Sequence, residues 1–155
     1  MTPVETDTVR VERTYDAPPE AVFDAWTNPE VLRRWWRRSQ SDSVEATDVD
    51  LRVGVAHRQA VGAADGEEHT VVGEYREVER PHRLVYSWAW QGTGPTAGHE
   101  SLVVVSFNAH GDGDGVRTTV VIEQSNFFDE TSRERHGAGW NAVLDTLARE
   151  LFPVR

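Results

Sequence analysis

The chain contains no cysteine and no lysine among its 155 residues. Without thiols it can build neither a disulfide framework nor a thiolate metal site, and it has no cysteine nucleophile. No stretch approaches the ~20 apolar residues that span a bilayer, and the opening MTPVETDTVRVE has no basic region followed by an apolar run. A soluble, cytoplasmic protein with no membrane contact is the expectation. HExxH, GxSxG and phosphate-cradling loops are missing, and RQAVGAADGEE lacks the strand–loop–helix setting of a dinucleotide site. HGDGDG resembles a calcium loop only superficially, because the downstream bidentate Glu and the full ligand spacing are absent. It reads as a Gly-rich hairpin turn, and neither a metal nor a cofactor is expected. The 16 basic residues are all arginine, scattered along the chain against 26 acidic ones, for a net charge of −10. That field repels polyanions, so nucleic acid is not an expected partner.

What is present is a regular alternation of patterns. TVRVERTY (8–15) sets Val9, Val11 and Arg13 against Arg10, Glu12 and Thr14, the period of a half-buried strand. APPEAVFDAW then opens with prolines and carries Val22, Phe23 and Trp26 at helical spacing. Alternating segments at 43–53, 54–61, 68–78, 83–90, 100–108 and 116–125 are separated by turn signals, which suggests an antiparallel meander. From Thr131 the pattern becomes helical, with Trp140, Val143, Leu144, Leu147 and Leu151 on one side. No linker or repeat interrupts this order, so the expected organisation is an N-terminal tail, 1–7, and a single α+β domain, 8–152. One helix covers so many strands only if the sheet is twisted and curved around it, and such wrapping commonly leaves a cavity.

Residues 28–39, NPEVLRRWWRRS, place two tryptophans between two pairs of arginines. Asn28 is a good N-cap and Pro29 a good first helical residue, so a helix can run to about Arg37. At about 100° per residue, Val31, Leu32, Trp35 and Trp36 share an arc of about 140°, and Arg33, Arg34, Arg37 and Arg38 fill the rest. A single-strand stacking platform needs aromatic and basic groups on one face; this helix separates them. The tryptophans are expected inside, in core, as a cavity wall or at a partner contact, and the arginines in water.

Four segments, APPEAVFDAWTNPEVLRRWW, VDLRVG, GEYREVERPHRLVYSW and HGAGWNAVLDTLARE, follow one another in an order and spacing that resembles the activator-of-heat-shock-protein-90-ATPase homologue family, within the START-like (SRPBCC) superfamily. The resemblance spans about residues 8 to 152. It implies a helix-grip fold: a curved antiparallel sheet around a long C-terminal helix, two short helices after the first strand, and a cavity between. The superfamily includes lipid carriers, hormone receptors, aromatase/cyclases and co-chaperone-like domains, so the fold alone does not choose a function.

Candidate cavity residues come from six places. RLVYSWAW puts Tyr86, Trp88 and Trp90 on one face with Leu84, and Tyr75 lies on the preceding strand. GVAHRQAV departs from the family it resembles, with His57 and Gln59 where members usually carry aromatic or large apolar residues and Val55 where they have a second glycine. Facing inward, His57 and Gln59 need hydrogen-bond partners; a one-residue slip puts both in solvent. Trp36 and Trp140 are possible walls, and His136 stands one helical turn before Trp140 in HGAGW, whose two glycines each cost about 1 kcal/mol in a helix. Close approach to the sheet or room for a ligand would justify them. Phe127 and Phe128, in NFFD, are placed to form a lid or an exposed contact. The first functional expectation is binding of a small hydrophobic or aromatic molecule by a monomer or homodimer. The alternative is a co-chaperone-like protein-interaction domain. A cyclase- or hydrolase-type enzyme using His57, Glu123 or a cavity tyrosine comes third.

Overall fold

The computed structural model describes residues 8–37, 43–49, 52–54, 56–62, 68–92, 96–111 and 113–152; the expected tail, 1–7, and Arg38 lie outside them. The elements run β1 (Thr8–Tyr15), α1 (Pro19–Thr27), α2 (Pro29–Trp35), β2 (Ser43–Asp48), β3 (Ala56–Gly62), β4 (Glu68–Glu79), β5 (Arg83–Trp90), β6 (Ser101–His110), β7 (Arg117–Ser125) and α3 (Glu130–Glu150). The strands form one antiparallel sheet in the order β1-β7-β6-β5-β4-β3-β2. β2 to β7 are thus a meander, and β1 closes on β7 with Thr8 opposite Ser125 and Tyr15 opposite Thr118. Register shifts between Val44 and Ala46 and between Tyr75 and Glu77 interrupt the ladders. Bulges of this kind add twist and bend, which lets the sheet curve around α3. This is the helix-grip arrangement.

Local chemistry explains the helix starts. Asn28 accepts a hydrogen bond from the Glu30 amide and Pro29 occupies the first turn of α2. Asp129 accepts from the Ser132 amide at the start of α3. Along β6 the burial alternates, with Ser101, Val103, Val105 and Phe107 buried against the core, and β7 contributes Val120, Ile122 and Gln124 to the same side. α3 packs Trp140, Val143, Leu144 and Leu147 into this trough, and Leu151 is partly buried at its end. The Tyr15 hydroxyl donates to the Leu144 carbonyl at 2.8 Å, tying the middle of α3 to β1.

Two expectations need correction. The strand expected over 43–53 stops at Asp48, and further on Gly54 takes a left-handed conformation (φ 85°), its amide donating to the Tyr75 carbonyl at 2.8 Å. Arg37 does not point into water as the helical projection requires. α2 ends at Trp35, and Trp36 is its non-helical cap (φ −73°, ψ 74°), so 100° spacing no longer applies. Arg37 is instead half-buried and pairs with Glu150 of α3 at 3.1 Å. Arg33 and Arg34 are exposed as expected.

Gly73 is the position where the sheet tolerates no side chain. A Cβ there would collide with the Ser87 carbonyl and come within 2.6 Å of His57 Nε2. The carbonyl is backbone and cannot yield cheaply. Gly73→Ala should lower stability by roughly 1–3 kcal/mol, the cost of overpacking, whereas Gly139→Ala, which meets nothing within 4 Å, should raise it by up to about 1 kcal/mol. Urea denaturation of the two variants checks both signs.

Candidate functional site

α3 and the concave face of the sheet touch through aromatic side chains, and between them lies a cavity of about 370 Å³. Its walls are Trp36, Gln59, Val71, Trp88, Trp90, His136, Trp140 and Val143, with Arg37, His69, Thr96, Ser132, Arg135 and Gly139 completing it. The indoles support one another through edge-to-face and tilted contacts. Trp36 meets Trp140 at 5.8 Å and Trp88 at 6.2 Å between ring centroids, and Trp88 meets Trp140 at 5.2 Å. Trp26, from α1, sits behind them against Trp35, Trp36 and Trp140. Trp35 is core: fully buried, its indole N–H donating to the Ala25 carbonyl. Trp36 is both core and cavity wall.

The indole N–H groups of Trp88, Trp90 and Trp140 are satisfied in a way that fixes α3 against the sheet, whereas that of Trp26 is buried with no partner among the described residues. His136 Nε2 lies 2.9 Å from Trp90 Nε1 and 3.2 Å from Trp88 Nε1. Indole nitrogens only donate, so His136 Nε2 is the acceptor, and the ring proton resides on Nδ1, which donates to the Ser132 carbonyl at 2.7 Å. A protonated His136 would aim a third N–H at two donors. Burial holds its pKa below the ordinary value, outweighing the Ser132 carbonyl, which acts in the opposite direction. One turn on, Trp140 donates to Gln124 Oε1 at 2.7 Å, and Gln124 Nε2 donates to Ser101 Oγ at 2.8 Å, below the cavity floor.

His57 and Gln59 both point inward, at 2 % and 7 % exposure. They do not share a role. His57 is not among the cavity-lining residues; its ring lies between Tyr75 and Tyr86, at 5.3 and 5.1 Å, and its Nε2 donates to the Ser87 carbonyl at 3.2 Å. Burial lowers its pKa, again against a weaker carbonyl effect, and raises those of Tyr75 and Tyr86. Gln59 does line the cavity, and its Oε1 has no hydrogen-bond partner among the described residues. The tyrosines stay out of the cavity wall, and Glu123, a candidate acid or base, is exposed on β7. The acid–base constellation required by the enzymatic reading is therefore not assembled from those residues.

The two phenylalanines also part. Phe127 is buried, with its ring 5.2 Å from that of His136. Phe128 is 48 % exposed and touches His99. Neither helix glycine is explained by close approach: a Cβ on Gly137 would meet Val9 at an ordinary 3.7 Å, and Gly139 borders the cavity. Sequence reasoning did not name Arg37, His69, Val71, Thr96, Ser132, Arg135 or Val143 as lining residues, and it raised Gly139 only as room for a ligand. Spacing on the Trp140 face of α3 pointed to Val143 and Gly139; nothing local marked His69.

Comparison with known proteins agrees with this geometry. The family model described as "Activator of Hsp90 ATPase homolog 1-like protein" matches residues 16–151. The chain belongs to this family. Its fold is similar to that of the AHSA1 protein from Silicibacter pomeroyi (26 % identity, TM-score 0.79, covering 93 % of this chain and 96 % of that one). It is similar also to a crystal structure of a protein from Chromobacterium violaceum (26 % identity, TM-score 0.75, covering 92 % and 96 %). An Hsp90 activator from Plasmodium falciparum shares the fold at 24 % identity, with a TM-score of 0.70 over 96 % of this chain and 99 % of that one. No curated protein matches the chain. Among the described residues of this family member, no helix is long and apolar enough to cross a membrane.

The histidines make stability pH-dependent with a definite sign. His57 and His136 titrate lower in the folded than in the unfolded chain, so the unfolded state binds more protons below its pKa of about 6.5. Stability is fully present above that pH and declines as pH falls through the interval down to the folded values. Urea melts between pH 5 and 8 should show this slope, reduced in His136→Gln. His136→Phe should cost about 1–3 kcal/mol even at pH 8, because buried indole donors lose their acceptor, while the Gln variant keeps one.

Proposed function

We propose that the protein binds a small, flat aromatic molecule in the cavity between α3 and the sheet. The observation that carries this reading is the cavity itself: about 370 Å³, walled by four of the chain's six tryptophans. Small-molecule sites typically occupy roughly 300–1,000 Å³, with apolar and aromatic walls and a few placed polar groups. An apolar void of roughly 150 Å³ already takes up benzene, so one or two fused rings fit here. Indole faces and edges suit a planar guest, through stacked and edge-to-face contacts worth about 0.5–1.5 kcal/mol each beyond burial.

Membership of the family favours a second reading, docking to a chaperone or another protein. That reading requires an exposed apolar patch. Among the described residues the large exposed hydrophobics are Val53 and Phe128, one in the β2–β3 connection and one before α3, which favours the cavity as the working surface.

Because four tryptophans line the cavity, their fluorescence reports occupancy directly. A panel of one- and two-ring aromatic compounds should contain members that quench this emission saturably and raise the melting temperature through binding linkage. Gly139→Leu, whose Cβ meets nothing within 4 Å and whose side chain enters the cavity, should stay folded and lose both responses. A flat response across a broad panel, in wild type as in the variant, contradicts the proposal.

A further inference from the structure

The chemistry of the cavity wall defines the ligand more narrowly, and this step rests on the binding reading above. We infer that the ligand is an aromatic acid that also carries a ring N–H or O–H donor. Two observations independent of the aromatic walls support this.

The first is Gln59. Gln59 is more than nine-tenths buried and borders the cavity, yet its Oε1 has no partner among the described residues and almost no accessible surface, so a ligand donor meets it once the terminal amide turns toward the cavity. An orphaned buried acceptor costs about 1–3 kcal/mol, which a ligand N–H or O–H recovers and an aprotic ring does not. His136, by contrast, is already engaged: it accepts two indole protons and gives its own to Ser132.

The second is the distribution of charge. Among the described residues lining the cavity none is Asp or Glu, whereas two are arginines. Arg37 is compensated by Glu150. Arg135 is exposed at the opening and has no carboxylate partner among the described residues. The net charge of −10 does not override this, since exposed charges beyond about 8 Å are largely screened at physiological ionic strength, and Arg135 is local to the opening. A cationic ligand would find no counter-charge in the wall; an anionic one finds Arg135.

The test uses four probes that differ in one feature each: indole-3-acetate, its neutral amide, the cationic tryptamine, and 1-methylindole-3-acetate. Dissociation constants come from calorimetry, because the indole probes emit in the same range as the protein's tryptophans. Indole-3-acetate should bind about fivefold tighter than the amide, and tryptamine weakest. Arg135→Gln should remove the acid's advantage and leave the amide unchanged, as expected for an exposed ion pair worth up to about 1 kcal/mol. N-methylation should weaken wild-type binding about fivefold and have no effect in Gln59→Leu, which isolates the pairwise hydrogen bond. Equal binding of acid, amide and amine, unaffected by either substitution, overturns the inference while leaving the cavity reading intact. Failure of all four probes to bind wild type overturns both.

Discussion

Three indole N–H groups determine how α3 stands on the sheet. Trp88 and Trp90, side by side on β5, both donate to His136, and Trp140 donates back across the interface to Gln124. A buried donor without an acceptor is expensive, so the helix cannot rotate or rise without breaking these bonds. They hold the Trp140 end of α3 at a distance set by the length of an indole, while Val143, Leu144 and Leu147 pack further along the helix. The curved sheet and the short helices α1 and α2 close around that spacing, with Trp26, Trp35 and Trp36 filling one side of it.

The same spacing leaves a hollow. At ~24 cal/mol per Å³, a sealed void of this size would cost on the order of 9 kcal/mol, comparable with the whole stability of an ordinary domain. The opening beside Arg135 and the polar groups in the wall let water relieve part of that cost, and a ligand that replaces the water recovers more. A fold that needed only to be stable would fill the space; Gly139, facing it with nothing within 4 Å, does the reverse.

The regular elements were legible in the sequence because each obeys a local period. β1 and β5 begin and end where alternation predicts, and the buried face of α3 follows from i, i+3, i+4 spacing. Errors fell where a long-range or non-periodic constraint intervened. The alternation of VDLRVG runs on past Asp48 although Gly54 turns the chain, and the projection that sent Arg37 to solvent failed one residue beyond the end of α2. The tryptophan pair of that helix was read correctly as inward, but their difference was not readable: Trp35 is sealed in the core and Trp36 faces the cavity. His136 reads from sequence as an ordinary helix-start histidine. Its role as acceptor depends on two tryptophans 46 and 48 residues away, which no local pattern encodes.

Family membership supports the fold; a fold of this breadth hosts carriers, receptors and interaction domains, so the function has to be argued from the site. The central claim is that the space between α3 and the sheet is a ligand site. Its most direct test is a titration of uniformly ¹⁵N-labelled protein with neutral indole, followed through the six tryptophan side-chain N–H signals. Saturable shifts concentrated in Trp36, Trp88, Trp90 and Trp140, with Trp35 unmoved, are the predicted result. Unchanged signals at millimolar indole, or shifts confined to residues outside the cavity, would contradict the account.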